Sequence, residues 1–418
     1  MTAKTMKGAK TMSRSAVASL GFSAARLRRI DDFLQARYID TGRLPGALTL
    51  VARRGEVAHL GVLGAADIAR GTPLEADGLF RIYSMTKPLT SVAFMMLVEQ
   101  GAVALDDPVE KFIPSWRDLG VFVAGAPPLF QTRRPARPML IVDLLRHTAG
   151  LTYGFQARTN VDAAYRKAGI GEVNCKLSLD AMIGELAKLP LDFSPGEAWN
   201  YSVSTDVLGY LIQVISGTPF QDFLRTRLIE PLGMIDTDFH VAADKASRLA
   251  ACYGRGADGA MALNDDPATS GYLAPPAFYS GGGGLVSTAA DYLKFCQMLL
   301  NGGSANGTRF LGRKTLGLMT VNHLPGGRDL TQMSRSLFSE ETNAGVGFGL
   351  GFAVVVDPAR TLLAGSAGQY YWGGAASTAF WIDPAEDLIV VFMAQLTPST
   401  AWPIRRELRT LVYAALDD

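Results

Sequence analysis

Cysteine is scarce in this chain. The three cysteines among 418 residues, Cys175, Cys252 and Cys296, lie far apart and are odd in number. With no C-x-x-C pair they form neither a disulfide framework nor a metal knuckle, and they read as small buried or semi-exposed thiols. Histidine is almost as rare. His59, His147, His240 and His323 show no H-x-x-x-H spacing, which argues against a zinc hydrolase and leaves no metal site to assign. An excess of one charge is also missing: 40 basic residues face 39 acidic ones, for a net +1. So balanced a chain, without a long basic run, is not built for nucleic acid. One cluster, Arg133-Arg134-Pro135-Ala136-Arg137, reads as a solvated loop, with a contact to an anionic substrate as the second reading. No apolar run reaches the roughly 18 residues that span a membrane, so no membrane partner is expected. Met1 to Ser15 is rich in Lys, Thr and Ser, and the short apolar stretch after it is broken by Ser and Arg. That is a poor secretory signal. The expectation is a flexible N-terminal tail over 1–20 on a cytoplasmic protein.

What the chain has is apolar mass and loops: 48% hydrophobic residues, 44 glycines and 21 prolines. That suffices for a large core in two or three lobes. Ser23 can cap a helix carrying Leu27, Ile30, Phe33, Leu34 and Tyr38 at helical spacing, ended by Gly42 and Pro45. Ala47 to Ala52 reads as a strand, hairpinned through Arg54-Gly55 to Val57–Leu63. Leu79 to Tyr83 reads as a short strand running into a helix from about Thr86 to Gln100. From Asp106 to Asp265 helical windows alternate with Pro-, Gly- and Arg-rich loops, and strand signals are few. Strand character returns at Gly347–Val356, Thr378–Ile382 and Leu388–Ala394, before a final amphipathic helix over Arg405–Leu416. Strands from the two chain ends would then share one sheet. The division expected is an α/β domain of residues 21–105 and 266–418, with a mainly helical domain over 106–265.

Three segments could carry chemistry. Ser84-Met85-Thr86-Lys87 is an S-x-x-K tetrad at the expected strand-to-helix junction. Lys87 then lies one turn along from Ser84 on the same helix face, and an amine beside a hydroxyl can activate it as a nucleophile. A helix N-cap with a solvated lysine is the plain alternative. Tyr201, in Ser194-Pro195-Gly196-Glu197-Ala198-Trp199-Asn200-Tyr201-Ser202, sits after a turn and just before a helix. It is either a core aromatic or a proton carrier between Ser84 and a leaving group. Trp372-Gly373-Gly374-Ala375 enters an expected strand. Its glycines fit a hairpin turn, or a backbone that a ligand approaches closely and that offers an N–H to an oxyanion together with Ser84. His147 invites a Ser-His-Asp reading, but no strict G-x-S-x-G elbow supports it; the nearest string surrounds Ser366. His147 is expected to be structural.

Jointly, Ser84–Lys87, Asn200-Tyr201-Ser202 and Trp372-Gly373-Gly374 occur in the order and approximate spacing of the serine β-lactamase-like superfamily. Leu144-Leu145-Arg146-His147-Thr148-Ala149-Gly150-Leu151 resembles its L-L-x-H-T-S-G-L segment, with Ala149 for serine, and Ser280 to Thr288 resembles its G-G-L-x-S-T segment. The chain most resembles the family VIII carboxylesterases, which share the fold of class C β-lactamases, from about residue 20 to 415. The resemblance implies an α/β (α+β) fold: an antiparallel sheet flanked by helices, plus an inserted all-helical domain with the active site between them. It implies Ser84 as the acylated nucleophile, Lys87 with Tyr201 as the general-base pair, Trp372, Gly373 and Gly374 at the substrate, and the Ala375 N–H as second oxyanion donor. It implies no cofactor. Val203 stands where class C enzymes have Asn, and Trp372 where they have Lys, and both changes remove polar recognition. The expected function is hydrolysis of short- to medium-chain small-molecule esters, with possible weak β-lactam turnover. The alternatives are a β-lactamase, a D-amino-acid peptidase or an acyltransferase of the same fold. Oligomeric state is not legible.

Overall fold

The computed structural model describes residues 14–172, 175–256, 259–335 and 343–418. Its main sheet comprises β1 (Gly46–Arg53), β2 (Glu56–Asp67), β3 (Thr72–Pro73), β4 (Val346–Phe348), β5 (Ala353–Val355), β6 (Tyr370–Gly373), β7 (Ala379–Asp383) and β8 (Leu388–Ala394). Their order is β4-β5-β6-β7-β8-β1-β2-β3, antiparallel throughout. The first strand thus pairs with the last, Leu50 opposite Val391. All eight β1 residues are buried, because both faces of the sheet are covered, and this is why Ala47–Ala52 reads as an apolar run interrupted only by the buried Thr49.

The two faces belong to two cores. Leu48, Leu50, Val391 and Met393 join α2 (Thr86–Glu99) and α6 (Ala289–Leu300) in the larger one. Ala47, Val51, Val390 and Phe392 join Leu27, Ile30 and Leu34 of α1 (Ala24–Leu34) and Leu408 and Val412 of α7 (Ile404–Tyr413). Between the two halves of the sheet the chain builds α3 (Asn160–Lys167), α4 (Leu179–Leu186) and α5 (Ser204–Ser216), with α5 packed on α2. Among the described residues no helix is long and apolar enough to cross a membrane. The three cysteines are free and buried.

Several expectations change. Of the tail expected over 1–20, residues 1–13 lie outside the described residues, but Arg14–Ser19 is helical and Val17 and Leu20 are buried against the α1–α7 core. Leu79–Tyr83 is not a full strand. Phe80–Arg81 pairs with Val286–Ser287 outside the main sheet, Leu79 makes a single bridge to Leu249, and Tyr83 turns away at φ +41°. The run Gly347–Val356 is two strands, because the chain reverses between Phe348 and Ala353 and pairs β4 with β5. The region 106–265 also holds a hairpin, Val121–Ala126 with Leu129–Arg133, and a pair, Cys252–Arg255 with Met261–Asp265, extended by Leu396–Thr397.

The basic cluster is not simply solvated. Arg137 binds both oxygens of the fully buried Asp143, at 2.6 and 2.8 Å, and Arg146 joins it at 2.9 Å. Burial pushes the Asp143 carboxyl up, but the Arg137 hydrogen bonds and charge outweigh it and hold the group below the usual carboxylate range.

Candidate active site

Ser84 sits in a 3₁₀ turn, Tyr83–Met85, that leads directly into α2. The helix is buried on every side from Thr86 to Leu97, so its first turn is held by the core rather than by solvent. Thr86 Oγ1 accepts from Leu285 N at 3.2 Å, and Thr90 Oγ1 donates to Gly281 O at 2.8 Å. These bonds lash α2 to the segment 281–285.

Lys87 is 2% exposed. Its Nζ donates to Ser84 Oγ at 3.3 Å, Tyr153 Oη at 3.1 Å and Gly282 O at 2.7 Å. An ammonium has three protons and no lone pair, so all its donors are used. Tyr201 Oη lies 2.6 Å from Ser84 Oγ, and the Tyr201 ring centre is 4.4 Å from Lys87 Nζ. Ser84, partly exposed, is therefore the reachable atom of an otherwise buried cluster.

Tyr153 and Asp206 belong to this cluster, and sequence reasoning missed both. Burial, and then the Asp206 charge, push the Tyr153 phenol well up. Asp206 is 1% exposed and accepts from Ser280 Oγ at 2.6 Å and Gly282 N at 2.9 Å. Its carboxyl is raised by burial, against the opposing pull of Lys87. Lys87 and Asp206 make no direct ion pair among the described residues; Gly282 joins them, its O accepting from Lys87 Nζ and its N–H donating to Asp206 Oδ1. Gly282 has no room for a side chain: a Cβ there would lie 2.8 Å from Asp206 Oδ2 and 2.9 Å from Tyr153 Oη. The one sequence signal was an acid in the first turn of the apolar helix that follows Tyr201.

Trp372, Gly373 and Gly374 reach the same place from β6. A Cβ on Gly374 would fall 2.4 Å from Ile82 O and 2.3 Å from Thr378 Oγ1, so only glycine lets this strand end press against the turn bearing Ser84. Gly374 N donates to Thr378 O at 2.9 Å, and Arg405 Nη2 donates to Gly374 O at 2.7 Å. Ala375, next in line, is exposed, and its N–H meets no acceptor among the described residues. The Trp372 ring packs 5.5 Å from Tyr201 and 5.3 Å from Phe348. Val203 does not shape an open pocket wall, because it is fully buried.

His147 is buried behind Tyr201, ring centres 5.0 Å apart, with Nδ1 on Ser202 Oγ at 3.2 Å. It bonds neither Ser84 nor an acid among the described residues. Ser366 lies in a loop, its N–H on Asp383. Burial, helped by the Lys87 charge, depresses the His147 imidazole well below its usual value. Its folded pKa is thus lower than its unfolded one. Below pH about 6.5 the unfolded chain takes up a proton that the folded chain refuses. Stability is expected to fall as pH drops from about 6.5 to 5.5, with this residue contributing at most about 1.4 kcal/mol per pH unit. Urea midpoints against pH, compared with His147→Gln, check this: the variant's curve should be flatter in that window.

A partly exposed serine, an ammonium and a phenol within hydrogen-bond reach, set between a sheet and a helical layer, define a serine hydrolase of the acyl-enzyme type. The beta-lactamase family model matches residues 28–414, and the chain belongs to that family. Protein Rv1367c of Mycobacterium tuberculosis is 38% identical over 362 residues, covering 86% of this chain and 88% of that protein. Esterase EstB of Burkholderia gladioli is 31% identical over 409 residues, covering 94% and 95%. Among solved structures, EstCE1, described as a hydrolase with promiscuous acyltransferase activity, superposes with a TM-score of 0.77 at 27% identity, covering 96% of this chain and 100% of that one.

Proposed function

We propose that this protein is a serine carboxylesterase acting on small neutral esters of short to medium acyl chain. Ser84 is the acylated nucleophile, and Tyr201, with the Lys87 ammonium beside it, is its base. The observation that carries the reading is the 2.6 Å contact of Tyr201 Oη with Ser84 Oγ, made beside the Lys87 ammonium. As Oγ bonds the ester carbonyl carbon, Tyr201 acts as its phenolate beside the Lys87 ammonium and takes the Ser84 proton on Oη. The carbonyl oxygen becomes an oxyanion, held by the N–H groups of Ser84 and Ala375. Tyr201 then returns the proton to the departing alkoxide, which leaves as alcohol. Water attacks the acyl-enzyme by the same route, releasing the acid and restoring Ser84. Lys87 stays charged and offsets the negative charge that forms. Tyr153 and Asp206 keep it in place.

Trp372, packed against Tyr201 and Phe348, puts an apolar ring where a β-lactam carboxylate would need a cation, and this favours a neutral ester. Acyl transfer to an alcohol is the second reading, favoured by the likeness to EstCE1, since an alcohol can replace water in the second step with no further residue. A panel of p-nitrophenyl esters of increasing acyl length, run with a chromogenic cephalosporin, tests the proposal. Esters should exceed the cephalosporin in kcat/KM by about 100-fold or more, the discrimination that a lost polar contact gives. Faster turnover of the cephalosporin would overturn it. Ester product formed with added alcohol would assign acyl transfer.

A further inference from the structure

The hairpin 121–133 is the most unusual surface of the molecule. Its residues Val121-Phe122-Val123-Ala124-Gly125-Ala126-Pro127-Pro128-Leu129-Phe130 contain no charged or hydrogen-bonding side chain. Exposed turns ordinarily use Gly, Pro, Asn, Asp or Ser, and this one turns on its two prolines with no polar residue beside them. Here the tip is Ala126-Pro127-Pro128-Leu129, with Ala126 paired to Leu129. Leu129 is 81% exposed and Val123 56%. Phe122 and Phe130 meet edge to face at 5.9 Å, so the apolar tip is braced and not collapsed onto the body.

Cations stand at the base of the same hairpin. Arg133 closes the ladder opposite Val121, and its side chain is half exposed, touching Glu197 only at 3.4 Å. Arg134 is exposed and pairs with no acid among the described residues. Four residues at about 3.3 Å each separate Arg133 from Leu129, a span of roughly 13 Å. Interfacial elements bury their apolar side chains about 5–10 Å into the headgroup–acyl boundary, which leaves basic residues at that spacing level with the phosphates.

From this arrangement we propose that the 121–133 hairpin docks the protein on an anionic lipid surface, Val123 and Leu129 entering the acyl boundary and Arg133 and Arg134 meeting the phosphates. This is a surface contact, not a span. A second copy of the chain fits less well, because a two-residue-wide tip falls far short of the roughly 1,000 Å² that a stable dimer buries. Docking would also present the site to the lipid. Asn160 Nδ2 donates to Gly125 O at 2.6 Å, and the segment just before Asn160 carries Phe155, 54% exposed and stacked 4.8 Å from Tyr153. The docking does not depend on the esterase reading, because binding is measured without turnover.

The test is co-sedimentation of the full chain with phosphatidylcholine vesicles, with and without phosphatidylglycerol. The wild type should sediment with the anionic vesicles. Val123→Asp with Leu129→Asp, and separately Arg133→Ser with Arg134→Ser, should each lower the bound fraction at least about tenfold and leave hydrolysis of a soluble short-chain ester unchanged. The arginine pair guards against misfolding of the aspartate variant, since its changes are at exposed sites. No wild-type binding, or equal binding by both variants, would overturn the proposal. So would a vesicle-free dimer that Leu129→Asp dissolves in sedimentation velocity, because the hairpin would then be a self-association surface.

Discussion

Ser84→Ala is expected to lower kcat/KM for a short-chain p-nitrophenyl ester by at least about 10⁴-fold, or roughly 5.4 kcal/mol of transition-state stabilisation. The size follows from the chemistry. Without Oγ no acyl-enzyme forms, and what remains is water attacking a carbonyl held by two N–H donors. The fold should not notice. Ser84 is partly exposed, the substitution deletes one oxygen, and Lys87 keeps Tyr153 and Gly282 as partners at 3.1 and 2.7 Å. A thermal midpoint within a few degrees of wild type separates a lost nucleophile from a lost fold.

The second large effect is Tyr201→Phe. The ring stays packed by His147, Trp199 and Trp372 at centroid distances of 5.0, 6.2 and 5.5 Å, so the substitution removes the oxygen 2.6 Å from Ser84 Oγ and little else. General acid–base transfer is worth about 10²–10⁴-fold, and the loss is expected within that range, in kcat more than in KM. Lys87 remains beside Ser84 at 3.3 Å. It keeps the charge that attracts the forming oxyanion but not a proton acceptor, since its three donors are all used. A Tyr201→Phe enzyme within threefold of wild type would remove Tyr201 from the reaction and leave it a wall of the pocket.

The sequence carried a good part of this architecture, and the physical reason differs from element to element. β1 and β8 read correctly because burial on both faces leaves a nearly continuous apolar run with its own turn signals. The meeting of Ser84 with Lys87 needs only helical spacing, which is local. That of Ser84 with Tyr201 spans 117 positions and came from the order of motifs, not from any local rule. Tyr153 and Asp206 were invisible for the opposite reason. Tyr153 sits in no pattern and Asp206 only in the first turn of α5, and the two meet only in the folded site, both against Gly282. The run 347–356 misled because its apolar residues are continuous through a chain reversal, so composition could not separate two short strands from one long one. The hairpin 121–133 was lost among loops because its proline turn interrupts two brief apolar runs, Val121–Val123 and Leu129–Phe130, each too short to read alone.

Val203 shows a limit of reading a pocket from motif positions. Its apolar side chain stands where polar recognition was expected to be missing, yet it is fully buried. The partly exposed Trp372 packs on Tyr201, and the exposed Phe155 stacks on Tyr153.

The central claim is that Ser84 becomes covalently acylated, and mass spectrometry of the trapped enzyme tests it most directly. The protein is treated with a fluorophosphonate, or mixed with a slowly deacylating ester and quenched in acid, then digested and sequenced. The account predicts one adduct, on the peptide carrying Ser84-Met85-Thr86-Lys87, absent from Ser84→Ala. An adduct on Ser366 or any other residue, or full ester turnover with Ser84 unmodified, would contradict it.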